Sequence, residues 1–420
     1  MNPYKKRAAD KILQKKLQSS GAVLIEGAKW CGKTTTALNA ANSVLYLQDT
    51  DKATQYKQLA DTRPSFLLEG DKPRLLDEWQ EAPVLWDTVR FAVDRESKPG
   101  QYILTGSAVP HHEVTMHTGT GRIARMLMRP MSLQESEEST GAVSLKSLFA
   151  GELDVVAKSQ NNLHDLAFSL CRGGWPATLF IDGDAALDVA KNYINAVVEF
   201  DLNRVDGIEK DPLRVRTLLR SLARNISTLA TDKTIIDDVN ATQSSISYKT
   251  LEGYLNALRR LFVVEEVPAW RPSIRSKAAI RSSLKRQFVD PSLATALLHI
   301  NPDSIWKDME LFGFLFESLC TRDVRVYADA LEGDVLYYQD ETGLEADLIV
   351  RLHDGRWGAI EVKMGNKQAE QAAQNLLKLT EKVDTDKAGE PAFLMVLTGE
   401  GYAYRRKDGV LIVPIGCMGV

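Results

Sequence analysis

Two glycines, a lysine and a threonine near the N-terminus have the spacing that holds phosphate groups. The segment reads Gly27-Ala28-Lys29-Trp30-Cys31-Gly32-Lys33-Thr34 and matches the pattern G-x-x-x-x-G-K-[ST]. An apolar run at residues 22–25 precedes it, and a helix-forming stretch at residues 35–42 follows it. The backbone N–H groups of such a loop, and the start of the helix behind it, attract anions. We therefore expect this segment to bind ATP or GTP, with ATP as the predicted cofactor.

Each fixed position of the loop has a predicted role. Gly27 and Gly32 permit a positive φ angle and a close approach of phosphate to the backbone. Lys33 is expected to reach the β- and γ-phosphates, and Thr34 to hold Mg²⁺ through its hydroxyl. Thr35, the next residue, completes the predicted cofactor-binding set of the loop.

A pair of acids downstream supplies the second element of a nucleotide hydrolase. Asp77 and Glu78 follow a short apolar strand at residues 73–76. Asp77 would complete the Mg²⁺ shell through water, and Glu78 would polarise the attacking water. An Asp-Glu pair can also simply begin a helix, but its place behind an apolar strand favours catalysis.

Two further sites in this region, a strand tip and an arginine, each have a functional and a structural interpretation. Thr105 and Ser107 lie at the tip of a buried strand and can sense the γ-phosphate, with ordinary strand-end capping as the alternative. Arg122 follows a glycine-rich loop and is our candidate for an arginine that stabilises the transition state of a neighbouring subunit. A solvated loop arginine is the competing interpretation.

The last third of the chain contains a second group of acids. Glu317 belongs to a predicted helix, Asp347 to a strand, and Glu361 and Lys363 to the next strand. Three carboxylates with a lysine would form a Mg²⁺ site for phosphodiester hydrolysis, in which Lys363 positions or activates the water. A hairpin with an exposed charged face is the alternative.

Whether these residues meet depends on the register of the two strands. A two-residue turn at Asp354-Gly355 would set Asp347 opposite Val362, on the wrong face. A shift of one residue, from a longer loop or a bulge, would set Asp347 opposite Glu361 or Lys363. The sequence alone leaves both registers open.

The order of the elements predicts an α/β protein with three domains. Residues 1–150 alternate strand and helix, which predicts a parallel sheet with helices on both faces. Residues 151–270 are mostly helical and end in helix, turn, helix and strand, the order of a winged helix. Residues 271–420 are expected to form an α/β domain that resembles restriction endonucleases.

In the sequence, only local groups of basic residues indicate contact with nucleic acid. In the winged-helix segment, Lys249, Arg259 and Arg260 are available for phosphates, although such folds also serve as interaction domains. Residues 271–286 carry six basic and no acidic side chains, as a solvated loop or a phosphate-neutralising segment would.

The composition of the chain argues against a generally basic, a disulfide-rich or a membrane-spanning protein. The 420 residues carry a net charge of −4, with 44% apolar and 26% charged residues, which is typical of globular proteins without a general basic bias. The four cysteines are far apart and form no disulfide framework. The N-terminus lacks an apolar signal core, and the apolar runs are too short for a membrane span. We expect a cytoplasmic protein that makes no membrane contact.

Taken together, the motifs resemble those of a large prokaryotic family that joins an AAA-type ATPase domain to a C-terminal domain of unknown function similar to the PD-(D/E)XK nucleases. The resemblance implies ATP hydrolysis by Lys33, Thr34, Asp77 and Glu78, a winged-helix middle and a nuclease-like end. It also favours the shifted register, because the acid and the Glu-x-Lys of such nucleases converge. The residues that carry it are 27–35, 76–80, 104–107, 121–122, 130–133, 173–176, 288–290, 316–317, 345–347 and 361–363.

Three functions are compatible with these residues. The first is an ATPase whose cycle drives or gates action on nucleic acid, with DNA preferred over RNA. The second is a regulatory switch whose C-terminal domain docks a protein partner without catalysis. The third is an ATP-driven remodeller of protein partners. An arginine that acts between subunits would also require a homo-oligomer.

Overall fold

The chain folds as two compact units. The computed structural model describes residues 3–106, 118–242, 245–272 and 284–420. The first unit comprises Met1–Pro130, Asp201–Glu209 and Ala257–Phe262, and the second comprises Met131–Phe200, Lys210–Asn256 and Val263–Val420. This division differs from the three predicted domains, whose first boundary lay at residue 150.

The first unit is built on a five-stranded sheet in which every strand pairing is parallel, in the order β2-β3-β4-β1-β5. The predicted parallel sheet is therefore confirmed. Its strands are β1 (Ala22–Glu26), β2 (Ser43–Tyr46), β3 (Arg74–Asp77), β4 (Tyr102–Gly106) and β5 (Ile123–Leu127). Its helices include α1 (Ala8–Ser19), α2 (Lys33–Ala40), α3 (Ala53–Thr62), α4 (Val84–Glu96) and α8 (Leu202–Asp206).

The core of this unit fixes the strand ends that carry the predicted site. Strands β1 and β4 are buried along nearly their whole length, and α4 packs Trp86 and Val89 against Leu24, Leu76 and Leu104. Burial of such side chains stabilises the sheet by roughly 25 cal/mol per Å² of apolar surface. Because the strands are parallel, the ends of β1, β3 and β4 lie at one edge of the sheet.

The helical part of the second unit precedes its main sheet. Its helices are α5 (Leu145–Phe149), α6 (Leu163–Arg172), α7 (Asp188–Ala196), α9 (Pro212–Arg224), α10 (Asp232–Asn240), α11 (Tyr248–Arg260, which ends in the first unit) and α12 (Pro291–Leu298). A π-helical segment, Val197–Asp201, follows α7. Helix α12 packs on α6, α7 and α9 and also on α13 (Met309–Ala330), which is why the middle and C-terminal regions form one unit.

The predicted winged-helix segment has its elements in the expected order. Helices α10 and α11 are followed by β8 (Val264–Val267), which pairs antiparallel with β9 (Lys285–Phe288). The residues between the two strands that fall in 273–283 lie outside the described part of the chain, as do three members of the basic run, Arg275, Lys277 and Arg281. The assignment as a winged helix stays a prediction.

A mixed seven-stranded sheet forms the centre of the second unit, in the order β10-β11-β12-β13-β15-β14-β7. Helix α14 (Asn366–Lys382) packs on it through Ala369, Ala373 and Leu376. The strands are β7 (Ala157–Lys158), β10 (Gly333–Gln339), β11 (Glu345–Leu352), β12 (Trp357–Val362), β13 (Phe393–Thr398), β14 (Tyr402–Arg405) and β15 (Leu411–Pro414), with the short helix α15 (Thr385–Ala388) before β13. A separate pair, β6 (Val143–Ser144) with β16 (Met418–Gly419), joins residues 131–150 to this unit.

Two general expectations can be compared with the described residues. No helix in them combines the length and apolar character needed to cross a membrane. Cys31, Cys171, Cys320 and Cys417 are all buried and none is in a disulfide.

Candidate functional site

The loop between β1 and α2 has the backbone that its glycines predicted. Gly27 has φ 146° and Gly32 has φ 101°, both in the region that disfavours other residues. A Cβ atom on Gly27 would lie 2.1 Å from the carbonyl oxygen of Met128, so no side chain fits there. The Lys33 ammonium is buried and donates hydrogen bonds to the carbonyl oxygens of Gly27 (2.9 Å) and Ala28 (2.8 Å). The backbone carbonyl groups of the loop thus hold the Lys33 ammonium inside the loop.

Hydrogen bonds of Asp77 link the end of β3 to the start of α2 and to β4. Its Oδ1 accepts from the hydroxyls of Thr34 and Thr105, each at 2.7 Å. The Thr105 hydroxyl in turn accepts a hydrogen bond from the N–H of Glu78, at 3.2 Å. Strand β4 lies between β1 and β3, and this order places Thr105 between the loop and the acidic pair.

This arrangement fits the predicted Mg²⁺ ion. The Thr34 hydroxyl and the Asp77 carboxylate are oxygen ligands of the kind Mg²⁺ prefers, and they are in direct contact. Thr34 and Asp77 would hold the ion, which would neutralise phosphate charge.

Glu78 is held in an unusual backbone conformation at the tip of β3. Its φ of 55° lies in the left-handed region, which costs a residue with a side chain roughly 1–3 kcal/mol. Gln80 donates a hydrogen bond to Glu78 Oε2. Gln80 therefore fixes one oxygen of the Glu78 carboxylate in this turn.

The remaining predicted residues of the first unit have different surroundings. Thr35 lies on the exposed side of α2. Arg122 is about half exposed, and its Nε donates to Asp94 Oδ1 at 2.6 Å. Its role between subunits stays a prediction. Ser107 lies outside the described residues, so only Thr105 of the two strand-tip candidates can be placed.

Two contacts of the loop were missed from the sequence. The buried Arg7 guanidinium donates to the carbonyl oxygens of Cys31 (2.9 Å) and Arg129 (2.8 Å). Lys29 forms an ion pair with Asp201 at 2.6 Å. Neither contact has a local spacing signal, because both partners lie far away in the sequence.

In the second unit, the shifted strand register is observed. Leu348 pairs with Ile360, and continuing this register sets Asp347 opposite Glu361. The cause is the connection: the N–H of Leu352 bonds to the carbonyl of Arg356, which leaves a three-residue loop, 353–355. The two-residue turn is therefore wrong, and the expectation that the resemblance favoured is confirmed.

The register brings the predicted residues together with one that was not predicted. Lys363 Nζ lies 3.1 Å from Glu361 Oε1 and 3.7 Å from Asp347 Oδ2. Lys285 Nζ, from β9, lies 2.8 Å from Glu317 Oε1 and 3.7 Å from Asp347 Oδ1. We call these five residues, Lys285, Glu317, Asp347, Glu361 and Lys363, the charged cluster. The alternative of an exposed charged hairpin face is wrong, since all except Lys363 are buried.

The electrostatics of the charged cluster follow from burial and from its three acids. Burial, followed by the charge of Asp347, raises the pKa of Glu361 to about 8, although Lys363 opposes this shift. Burial acts to lower the pKa of both lysines. The neighbouring carboxylates outweigh it and raise the pKa of Lys285 and of Lys363, so both stay charged.

The metal-binding prediction for this cluster has mixed support. Glu361 Oε2 is buried and has no hydrogen-bond partner among the described residues, as an oxygen that awaits a cation or a proton would be. Across the same residues, however, no group of three or more His, Cys, Asp or Glu is arranged to hold a metal ion. The roles of Glu317, Asp347 and Glu361 as metal ligands stay predictions.

The basic residues proposed for phosphate contact are only partly available. Lys249 is exposed. Arg286 instead pairs with Asp232, and Lys285 is buried in the charged cluster, so the interpretation of these two as phosphate-neutralising residues is wrong. Both lie on β9, where successive side chains point to opposite faces, and each of the two meets acids on its own side.

Several motifs of the sequence have a structural role. Asp290 is fully buried and accepts hydrogen bonds from the N–H of Gly174 and from Arg322, each at 2.9 Å. Arg322 also pairs with Asp323, which accepts from the N–H of Leu133. These contacts satisfy buried charges that would otherwise destabilise the fold.

Three family models match consecutive parts of the chain. Residues 19–137 match a model described as an AAA domain. Residues 163–304 match a domain of unknown function, DUF8612, and residues 312–418 match another, DUF4143. The first unit thus has a P-loop fold and contains most of the segment that matches the AAA domain model. The C-terminal match assigns no function, so the resemblance to nucleases and to restriction endonucleases stays a prediction.

Proteins similar over most of the chain are found in mycobacteria. The uncharacterized proteins Rv2008c of Mycobacterium tuberculosis and Mb2031c of Mycobacterium bovis are each 25% identical over 367 residues, which cover 85% of this chain and 74% of theirs. Among solved structures, the Walker-type ATPase PABY2304 of Pyrococcus abyssi is 19% identical, with a TM-score of 0.44. That match covers 70% of this chain and 96% of the archaeal one.

Proposed function

We propose that the chain is a Mg²⁺-dependent ATPase. The observation that carries this proposal is the contact of Thr34 and Thr105 with Asp77, directly beside the loop that holds Lys33. A nucleotide hydrolase needs a phosphate cradle, a metal-binding acid and a base at one point. The loop after β1 would supply the cradle and the end of β3 the two acids, while Thr105 of β4 would position both acids.

Each residue has a defined part in the proposed reaction. Lys33 and the loop N–H groups bind and orient the β- and γ-phosphates. Mg²⁺ supplies charge neutralisation when it is bound by Thr34 and Asp77. Glu78 orients the attacking water and accepts its proton on a carboxylate oxygen, while Gln80 fixes the other oxygen. Thr105 holds Asp77 and the backbone of Glu78 in register.

The test separates binding from hydrolysis. Glu78→Gln should retain ATP binding by calorimetry and lose turnover by at least roughly 100-fold, the usual contribution of a general base. Lys33→Ala should lose ATP binding. Glu81→Gln, an exposed glutamate three positions beyond Glu78, is the matched control and should keep wild-type turnover. Normal turnover in Glu78→Gln would remove that residue from its role, and full ATP binding by Lys33→Ala would reject the loop assignment.

A second candidate function concerns the charged cluster. We propose that nucleotide state controls an action of this cluster on the phosphodiester bonds of nucleic acid, DNA rather than RNA. The meeting of Asp347, Glu361 and Lys363 supports it, together with the Glu361 oxygen that has no hydrogen-bond partner among the described residues. The competing proposal is a regulatory switch in which this region docks a protein partner and performs no catalysis.

Cleavage assays distinguish these two proposals. Wild-type protein should cut single- or double-stranded DNA with Mg²⁺ or Mn²⁺, and ATP should alter the rate. Lys363→Ala should abolish cleavage, while Lys367→Ala, an exposed lysine at the start of α14, should not. Absence of cleavage of both DNA and RNA by wild type would reject the nuclease function and favour the docking role. The result of the cleavage assay does not affect the ATPase proposal.

A further inference from the structure

The charged cluster contains a second lysine that the sequence did not indicate. Lys285 belongs to β9, whereas the other members come from α13 and from the β11–β12 hairpin and its end. Its Nζ lies 2.8 Å from Glu317 and 3.7 Å from Asp347. The cluster therefore combines three carboxylates with two ammonium groups, and Asp347 lies between the two lysines.

Lys285 is firmly placed. Its side chain is 8% exposed, so its ammonium group is stabilised mainly by its carboxylate partners and little by bulk water. Its backbone is fixed by pairing with Val267 of β8, and its ammonium also faces the ring of Tyr337 at 5.6 Å. Lys285 is therefore an ordered, buried member of the charged cluster, held by its strand and by two acids.

The position of Lys285 changes the set of oxygens available to a metal. A metal ion would compete with Lys285 for Glu317, because Glu317 Oε1 already accepts a hydrogen bond from the Lys285 ammonium. Asp347 Oδ2 accepts from the N–H of Val362 at 2.8 Å, and Asp347 Oδ1 faces Lys285. Of the three acids, Glu361 presents the buried oxygen that lacks a hydrogen-bond partner in the described ranges.

We propose that Lys285 is the resident cation of the charged cluster, where it takes the place of a divalent metal beside Glu317 and Asp347. A lysine ammonium is a compact point charge, and a divalent ion a few ångströms away would be repelled by it. Lys285 therefore weakens the affinity of the cluster for Mg²⁺ and Mn²⁺ and leaves Asp347 and Glu361 as the remaining pair of ligands. This inference rests on the second candidate function, whose metal site it redefines.

The test measures metal binding rather than cleavage. Binding of Mn²⁺ to the full chain is followed by the loss of the free-ion signal in electron paramagnetic resonance. Sites that disappear on Asp347→Asn are assigned to the cluster, which separates them from the nucleotide site. Lys285→Met should bind Mn²⁺ at least tenfold more tightly than wild type at these sites. Lys382→Met, which removes an exposed lysine paired with Asp340, should leave the affinity unchanged.

A double variant distinguishes a change in Mn²⁺ affinity from a loss of folding. Lys285→Met leaves Glu317 buried without its cation, which is destabilising, whereas Lys285→Met with Glu317→Gln removes both charges. The double variant should melt at a higher temperature than Lys285→Met and should also bind Mn²⁺ more tightly than wild type. Equal or weaker Mn²⁺ binding by both variants would overturn the proposal. A failure of wild type to cut nucleic acid would reject the second candidate function but would not change this measurement.

Discussion

The Thr105 hydroxyl donates a 2.7 Å hydrogen bond to Asp77 and accepts one from the N–H of Glu78. One buried hydroxyl on β4 thus connects the predicted metal-binding acid to the backbone of the predicted base. At the sequence level, Thr105 was a candidate sensor of the γ-phosphate. The observed contacts favour a positioning residue for the acidic pair.

Thr105→Val should impair hydrolysis without abolishing ATP binding. The variant keeps the shape of the side chain but leaves the Glu78 N–H and Asp77 without their shared partner, at a cost of roughly 1–3 kcal/mol, or about 10- to 100-fold in kcat. Thr105→Ser should recover most of the activity because it restores the hydroxyl. Steady-state kinetics with a Mg²⁺ titration measure both effects. If valine is tolerated with wild-type kcat and Mg²⁺ dependence, the hydroxyl has no positioning role.

Arg7→Gln should weaken ATP binding by about tenfold. The guanidinium of Arg7 holds the Cys31 carbonyl within the loop and the Arg129 carbonyl behind it, and charged hydrogen bonds of this kind contribute roughly 1.5–3 kcal/mol each. Its loss should loosen the loop, raising the dissociation constant for ATP in calorimetry. Lys11→Gln, at an exposed position of α1, the helix that begins directly after Arg7, is the control. Equal affinity in both variants would show that the loop keeps its shape without Arg7.

Glu138 should stabilise the second unit in a pH-dependent way. Burial raises its pKa, but the hydrogen bonds and charge of Arg172 outweigh burial, so the folded pKa lies below the ordinary value. The carboxylate therefore contributes stability that is fully present above the unfolded pKa of about 4.3 and is lost as the pH falls through the folded pKa. Glu138→Gln should lower the melting temperature at pH 7, and the difference from wild type should shrink below about pH 4.

Calorimetric melting curves across that pH range provide the measurement. Glu152→Gln, at an exposed position of the same unit, should show no such pH-dependent difference. A Glu138→Gln difference that stays constant from pH 7 to pH 3.5 would mean that packing, and not the Arg172 pair, accounts for the loss.

The features that the sequence predicted well depend on local patterns. Gly27, Gly32, Lys33 and Thr34 form a contiguous motif, and an apolar strand before Asp77 marks its position at a sheet edge. Their meeting at one edge of the sheet follows from the parallel arrangement of the strands. The order of the strands, which places Thr105 between the two motifs, required the folded structure.

The features that the residues alone left open or did not indicate depend on how segments pair in the fold. The register at Asp347 was decided by whether the hairpin loop has two or three residues, a difference that Asp354-Gly355 does not reveal. Lys285 belonged to a basic run that resembled a solvated loop. Its burial results from the pairing of β8 with β9, which brings it to acids on other elements.

The tight approach of Gly27 to the Met128 carbonyl has a consequence for dissecting the protein. The phosphate loop is braced from behind by the end of β5 and by Arg7, which lies outside the matched AAA segment of residues 19–137. A fragment cut at the limits of that match would retain every residue of the nucleotide motifs and yet lose a support of their shape. A fragment made to study nucleotide binding should therefore extend beyond residues 19–137 and include Arg7.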